Sequence, residues 1–436
     1  MAMKRDIYKE LIEWKNNSDH KPLILGGARQ VGKTYILKEF GKNEFKNLAY
    51  FNFEENPELI NFFDDTLNVQ KILEKLSLYQ EKKIDAKKTL IFFDEIQEAP
   101  RALTSLKYFA ESDEQFNIVS AGSLLGIKLR QSSPFPVGKV IELNLFPFSF
   151  GEFLDGIGKN RLRRFLNNIS ELTPVDEVFH KQLLELVRIY FYVGGMPAAI
   201  KQYNLDGDLN KVRKIQDGLL SGYEKDFSKH SNEGVAIKLT RIWRTLPIQL
   251  AKENKKFKFS EIEKSARARE YNEIITWLED AGLVYKSYNI HTPKLPLAGY
   301  REENIFKLFL LDVGLLAAML KLSSKTITEG NILFRDYNGA FTENYVAQEL
   351  VAVGYRDIYY WTSQRAAEVD FVIENDEQIY PLEVKSGTSL QNKSLIIYGQ
   401  KYKNSILSRA TIKNFKHDGN ICNYPLYSIS HFPKLS

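Results

Sequence analysis

Residues 23–34 of this 436-residue chain read Leu-Ile-Leu-Gly-Gly-Ala-Arg-Gln-Val-Gly-Lys-Thr. Gly27, the four residues Ala28, Arg29, Gln30 and Val31, then Gly32-Lys33-Thr34 have the spacing of a phosphate-binding P-loop. Glycines at such a loop let backbone N–H groups wrap a phosphate without Cβ clashes, and the following helix N-terminus adds partial positive charge. Lys33 would reach the β- and γ-phosphates, and the Thr34 hydroxyl would hold Mg²⁺. A second set lies at 89–95, Thr-Leu-Ile-Phe-Phe-Asp-Glu, an apolar run ending in two carboxylates. Asp94 there would hold the Mg²⁺ water shell and Glu95 would polarise an attacking water. Acidic pairs also follow strands without any function. This pair, however, falls at the C-terminal strand edge, where doubly wound sheets place their ligands. The expected ligand is ATP or GTP with Mg²⁺.

These residues need strands to carry them. Leu23 to Leu25 reads as a buried strand, with helix-like residues 5–19 before it and Tyr-Ile-Leu-Lys-Glu-Phe after the loop. Residues 48–53, 89–95, 117–123 and 139–145 give four more strands, with helical stretches at 57–64 and 69–80 between them. Ser123 falls at a strand tip, where it can contact the γ-phosphate or the attacking water, or cap the helix-like run that follows; the two roles are compatible. Alternating strands and helices with both signatures predict an α/β fold, a parallel sheet with helices on both faces.

Composition narrows the class without naming it. A hydrophobic content of 44% and a charged content of 26% are those of an ordinary globular protein, and a net charge of +5 is too mild to imply nucleic acid by itself. One cysteine, Cys422, excludes an intramolecular disulfide framework and a Cys-rich zinc site. Residues 1–10 lack the apolar core of a signal peptide, and Leu308 to Leu320, broken by Asp312, is too short to span a bilayer and reads as a buried helix. The expected location is the cytoplasm, away from membranes.

Gly-Ala-Arg-Gln-Val-Gly-Lys-Thr, Phe-Phe-Asp-Glu-Ile-Gln, the Gly-Ser of 122–123 and Leu-Phe-Pro-Phe-Ser-Phe-Gly-Glu-Phe at 145–153 together resemble one group of prokaryotic AAA-type ATPases. These pair an AAA module with a C-terminal domain of unknown function, and the resemblance covers nearly the whole chain. It implies ATP as the purine nucleotide, hydrolysis of it, and a homo-oligomer in which a neighbour's arginine completes the site. Relatives carry Gly-Arg before the fifth strand, whereas this chain has Gly138-Lys139, and lysine is a poorer bidentate phosphate ligand. Arg130 is the nearest substitute finger. The resemblance also points to Asn52 as a switch residue touching Glu95.

Four parts are expected: an ATPase core over 1–150, a helical lid over 151–234, a winged-helix-like middle over 235–330 and a nuclease-like α/β domain over 331–436. In the lid, Gly194, Gly195 and Pro197 ahead of a helix resemble the Gly-x-Pro motif of related signalling ATPases, whose proline packs on adenine. A helix–turn–helix corner uses the same residues. The basic run Arg161-Leu162-Arg163-Arg164 reads as a solvated face or a nucleic-acid contact. The middle reads as a helix through Ile-Trp-Arg-Thr-Leu-Pro, helices at 260–267 and 271–281, then an extended segment. The third helix of that set carries Glu270, Glu273, Glu279 and Asp280, which would repel a phosphate backbone, with Arg267 and Arg269 only a partial offset.

In the last part, Gly-Ala-Phe-Thr-Glu at 339–343 opens an amphipathic helix bearing Glu343. Glu-Val-Asp at 368–370 and Pro-Leu-Glu-Val-Lys at 381–385 are strands bearing Asp370, Glu383 and Lys385. Glu383 and Lys385 share one strand face, and a turn between the strands would bring Asp370 near Glu383. Carboxylates so placed suit Mg²⁺, with a lysine to orient water. The set resembles the PD-(D/E)xK nuclease superfamily, which implies Asp370, Glu383 and Glu343 as acids of a metal site and Lys385 as the catalytic lysine. A charged solvent-facing hairpin is the plain alternative. Residues 381–436 hold eight Lys and Arg against two acids, with Tyr398, Tyr402 and Phe415 among them, as a nucleic-acid surface arranges them. The expectation is an ATPase coupled to binding or cutting of nucleic acid, DNA foremost. Its rival is an ATP-switched interaction protein with an inactive nuclease-like scaffold.

Overall fold

Five short apolar runs form one wholly parallel sheet: β1 (Leu23–Gly26), β2 (Asn47–Asn52), β3 (Thr89–Asp94), β4 (Asn117–Ala121) and β5 (Ile141–Asn144), in the order β2-β3-β4-β1-β5. The computed structural model describes residues 4–123, 135–252, 255–263, 267–325, 339–363, 367–386, 392–403 and 406–433. Two units make up the chain, residues 1–146 with 280–282, and residues 147–279 with 283–436.

The first unit holds the parallel sheet with helices α1 (Tyr8–Asn16), α2 (Lys33–Glu44), α3 (Val69–Tyr79) and α4 (Pro100–Ala110). Parallel strands are buried on both faces, so their side chains divide between two apolar layers. Ile24, Phe51, Ile91, Phe93 and Ile118 pack with Ile72 and Leu76 of α3 and Leu103 and Leu106 of α4. The alternate residues Leu48 and Leu90 meet α2, so closely that a Cβ on Gly41 would stand 2.7 Å from Leu48 Cδ1. The α/β fold with a parallel sheet and helices on both faces is therefore as the sequence predicts.

The second unit contains α5 (Phe150–Gly156), α6 (Asn160–Asn167), α7 (Glu177–Val193), α8 (Pro197–Asp206), α9 (Leu209–His230), α10 (Glu233–Leu250), α11 (Ala268–Asp280), α12 (Val313–Met319), α13 (Ala340–Ala352) and α14 (Lys393–Tyr402). Its strands are β6 (Val284–Ile290), β7 (Arg301–Leu310), β8 (Ile358–Thr362), β9 (Glu368–Asn375), β10 (Gln378–Val384), β11 (Leu407–Thr411), β12 (Lys416–Asp418) and β13 (Ile421–Pro425). They make one mixed sheet, β12-β13-β11-β10-β9-β8-β6-β7. The boundary expected near 330 divides strands of that single sheet, because β6 pairs in parallel with β8 from Ser287↔Ile358 to Ile290↔Trp361. In the middle region α10, α11 and the extended segment, as β6, appear in the expected order, and β6 pairs antiparallel with β7, a strand not expected. At 260–267 the described residues show only a 3₁₀ turn, Phe259–Glu261.

Two local expectations change. The apolar run Leu308 to Leu320 is the end of β7 followed by α12, not one helix. Asp312 separates them because its carboxylate accepts from Leu315 N at 2.9 Å and caps α12. Helix α13 is not amphipathic in its setting: every residue from Ala340 to Val351 is buried. Three of its polar residues bond backbone, with Asn344 exchanging two hydrogen bonds with Leu310, Gln348 Oε1 accepting from Val313 N, and Glu349 Oε1 accepting from Phe150 N.

The Phe-Pro-Phe-Ser-Phe stretch is anchored in the same network. Phe148 N donates to Gly195 O at 2.8 Å, the Tyr190 hydroxyl donates to Phe148 O, and Ser149 with Glu152 closes a capping box on α5. Gly195 N donates to Asp312 Oδ2 at 2.5 Å, and a Cβ on Gly195 would stand 2.2 Å from Phe148 O and 2.8 Å from Phe148 N. Both clashes are with backbone, so Gly195→Ala should cost at least about 3 kcal/mol of stability in chemical denaturation. Burial pushes the Asp312 carboxyl from 3.8 up to about 6, against the hydrogen bonds it accepts from Gly195 and Leu315. Between those values the folded chain keeps a proton that the unfolded chain has released, so this group's contribution falls as pH rises. From pH 4 to 6 wild type should lose about 2 kcal/mol relative to Asp312→Asn, read as the difference of two denaturation series.

Candidate nucleotide site and an ion-paired carboxylate cluster

The loop between β1 and α2 has the backbone a phosphate cradle needs. Gly27 and Gly32 sit at φ of 130° and 103°, and Gln30 at 66°. Gly27 is also fixed by packing, since a Cβ there would stand 2.2 Å from Leu145 O. Arg5 supports the loop from behind, donating to Val31 O at 2.9 Å and to Phe146 O at 2.6 Å. Lys33, 7% exposed, donates to Gly27 O and Ala28 O, each at 2.8 Å. Burial pushes its ammonium down to about 8, against the attraction of Glu95 and Asp94.

The remaining first-unit residues join it. Thr34 Oγ1 donates to Asp94 Oδ1 at 3.2 Å, and Tyr50 Oη donates to Asp94 Oδ2 at 2.9 Å. Burial raises the Asp94 carboxyl above its ordinary value despite both hydrogen bonds. Glu95, at φ 51°, accepts from Gln97 Nε2 at 2.6 Å and from Ser123 Oγ at 3.3 Å, both at Oε2. Thr34 and Asp94 thus present hard oxygen donors side by side, a set that fits Mg²⁺ held partly through water. Asn52 bonds Tyr50 Oη at 3.1 Å and the amides of Glu54 and Glu55, and it is Gln97 and Ser123 that hold Glu95. Tyr50, Gln97 and Arg5 escaped the sequence reading. Tyr50 was within reach of it, because Tyr50 and Asn52 share a strand face and Asn52 pairs with Asp94 in the parallel register.

Other expected residues have different settings. Arg130 lies outside the described residues, and Lys139 pairs with Glu111 at 3.0 Å. Gly195 and Pro197 belong to the second unit, where Gly195 is packed as above and Pro197 opens α8. Tyr398 and Phe415 are buried, and Tyr398 and Tyr402 lie against Trp361 at ring separations of 5.2 and 5.9 Å. Tyr398 and Phe415 thus form core, and Tyr402 packs half-buried against it. Glu270 and Glu279 of α11 stand 3.8 and 3.9 Å from Lys238 and Lys286.

The C-terminal acids do come together, with lysines among them. β9 and β10 pair antiparallel with Phe371 opposite Leu382, and Asp370 Oδ2 accepts from Val384 N at 2.8 Å. Glu383 Oε1 accepts from Lys385 at 2.5 Å, whereas the buried Glu383 Oε2 has no hydrogen bond. Glu343 Oε1 pairs with Lys255 and its Oε2 lies 3.5 Å from Lys307. Lys307, fully buried on β7, also lies 2.5 Å from Glu368 Oε1 and 3.7 Å from Asp370 Oδ1. Burial and then Glu343 and Glu383 raise the Asp370 carboxyl well above its ordinary range. Burial would raise Glu343 too, but Lys255 and Lys307 outweigh it and hold that carboxyl low. Among the described residues no group of three or more His, Cys, Asp or Glu is arranged to hold a metal ion. Lys255, Lys307 and Glu368 were missed in the sequence. A lone lysine inside Ile-Phe-Lys-Leu-Phe-Leu was the available signal.

Comparison with known proteins agrees with the first unit. Residues 19–154 match the family described as an AAA domain. The first unit is thus similar to P-loop modules of AAA type. Residues 184–326 and 338–428 match two domains of unknown function, DUF8612 and DUF4143. An uncharacterised protein of Methanocaldococcus jannaschii, MJ1544, is 26% identical over 392 residues, covering 87% of this chain and 77% of that protein. Among solved structures, the RuvB Holliday junction branch migration motor of Thermotoga maritima is 15% identical, with 66% of this chain and 89% of that chain covered and a TM-score of 0.30. Cdc6p of Pyrobaculum aerophilum is 13% identical, with 74% and 96% covered and a TM-score of 0.26. Similarity this loose establishes neither a shared arrangement nor a shared function. No helix among the described residues is long and apolar enough to cross a membrane.

Tyr50→Phe removes a donor from a carboxylate that is 2% exposed. Without nucleotide it should cost about 2 kcal/mol in chemical denaturation, and less once Mg²⁺ and nucleotide engage Asp94.

Proposed function

We propose that the first unit binds and hydrolyses ATP with Mg²⁺, and that its nucleotide state sets the affinity of the second unit for a partner. One observation carries the ATPase reading: Lys33, Thr34, Asp94, Glu95 and Ser123 stand as one connected constellation around the loop. Loop amides and the Lys33 ammonium would bind the phosphates. Thr34 and Asp94 would hold Mg²⁺, which supplies charge neutralisation on the phosphate oxygens. Glu95, oriented by Gln97 and Ser123, would align and deprotonate the attacking water. Lys33→Ala should abolish tight ATP binding in equilibrium titration. Glu95→Gln should keep binding and lose at least about 100-fold in kcat. Unchanged affinity in the first variant would remove the P-loop assignment.

For the second unit, cleavage of nucleic acid is supported by the order Glu343, Asp370, Glu383-x-Lys385 on a helix and two paired strands. The interaction reading is favoured by a specific observation: each of these carboxylates already faces a lysine inside the fold. The basic C-terminal stretch is also partly spent internally, since Arg409 and Lys416 both pair with Asp418. Wild type should therefore leave a panel of single-stranded, duplex and branched DNA and RNA intact with Mg²⁺ or Mn²⁺, with or without ATP. Cleavage that disappears in Glu383→Ala would overturn this in favour of an ATP-linked nuclease.

A further inference from the structure

A divalent ion bound by carboxylates sits about 2.0–2.6 Å from several oxygens at once. In the C-terminal cluster the acids face an ammonium instead. Lys307 Nζ, at the buried end of a β7 side chain, is 2.5 Å from Glu368 Oε1, 3.5 Å from Glu343 Oε2 and 3.7 Å from Asp370 Oδ1. The Tyr360 ring lies 4.9 Å from the same nitrogen. Helix α13 and strand β9 thus direct three carboxylates at one cation that belongs to the chain.

The oxygens a metal would need are engaged elsewhere. Glu343 Oε1 is taken by Lys255, Asp370 Oδ2 by Val384 N, and Glu383 Oε1 by Lys385. Glu383 Oε2 is buried and without a hydrogen bond. With the Lys307 ammonium standing among these acids, a divalent cation would have to displace a like charge before the carboxylates could converge on it. These residues do not fit the metal that a nuclease-like set implies.

We infer that Lys307 is the resident cation of this cluster: it holds Glu343, Glu368 and Asp370 together, keeps divalent ions out, and masks a divalent-cation site that opens when its ammonium is removed. The inference rests on the reading of these carboxylates as structural. It adds a cause for that reading, since an ammonium tethered by its own strand cannot be diluted away or chelated. Lysine also offers only donors, so it satisfies carboxylates without the open coordination position that metal-assisted hydrolysis requires.

The test uses the full chain without nucleotide and Mn²⁺ as the probe, with free Mn²⁺ read by electron paramagnetic resonance and stability by thermal melting. Wild type and Glu383→Gln should bind the same amount of Mn²⁺, a comparison that subtracts ions held anywhere else. Lys307→Ala should melt lower by roughly 10 °C, because the buried Glu343 and the half-buried Glu368 and Asp370 lose their shared cation. It should also take up about one further equivalent of Mn²⁺ at about 0.1 mM and regain stability on doing so. Lys307→Met, which keeps the apolar stem, serves if the alanine variant does not fold. Glu383-dependent Mn²⁺ uptake by wild type overturns the inference, and so does a folded Lys307 variant with no added uptake. Such uptake without nucleic-acid cleavage overturns the inference alone, whereas cleavage overturns the structural reading beneath it.

Discussion

A charged side chain taken out of water must find its counterpart inside the protein, and both units are arranged around meeting that demand. In the first, Asp94 is nearly fully buried at the end of β3, and Thr34 and Tyr50 each satisfy one of its oxygens. Lys33 is buried against loop carbonyls with two carboxylates beyond. The site is poised electrostatically before any ligand arrives. In the second unit the same demand is met by lysines, which leaves less for a ligand to do.

The contrast between the two sites explains how differently they could be read from sequence. A P-loop is contiguous, and its chemistry depends on backbone geometry that glycine spacing announces directly. Asp94 and Glu95 follow from an apolar strand with a carboxylate at its end, and the parallel order of five strands delivers them to the loop. Tyr50, Gln97 and Arg5 do their work through hydrogen bonds set by register and by long-range packing, which a local pattern records only faintly. The C-terminal acids were visible as residue types. What they do depends on Lys255 and Lys307, which lie 88 and 36 residues before Glu343 and belong to no motif that carries the acids.

Helix α13 shows a second way in which pattern and place diverge. Asn344, Gln348 and Glu349 recur as a polar face should, and in isolation they imply a solvated side. The fold instead surrounds that helix, and its polar groups satisfy the backbone of β7, α12 and α5. Periodicity reports that a face is polar; whether water or protein answers it is settled only by tertiary structure. The same ambiguity split Leu308 to Leu320 at Asp312, a residue that interrupts an apolar run because it caps one helix and receives the Gly195 amide.

The eight-stranded sheet carries a consequence for descent. The regions matched separately at 184–326 and 338–428 each contribute strands to it, with β6 of one lying directly beside β8 of the other. Cut between them, each piece would expose a bare strand edge to solvent and to other chains. Recombination that separated the two regions would therefore leave each with an unpaired, adhesive strand rather than a closed sheet.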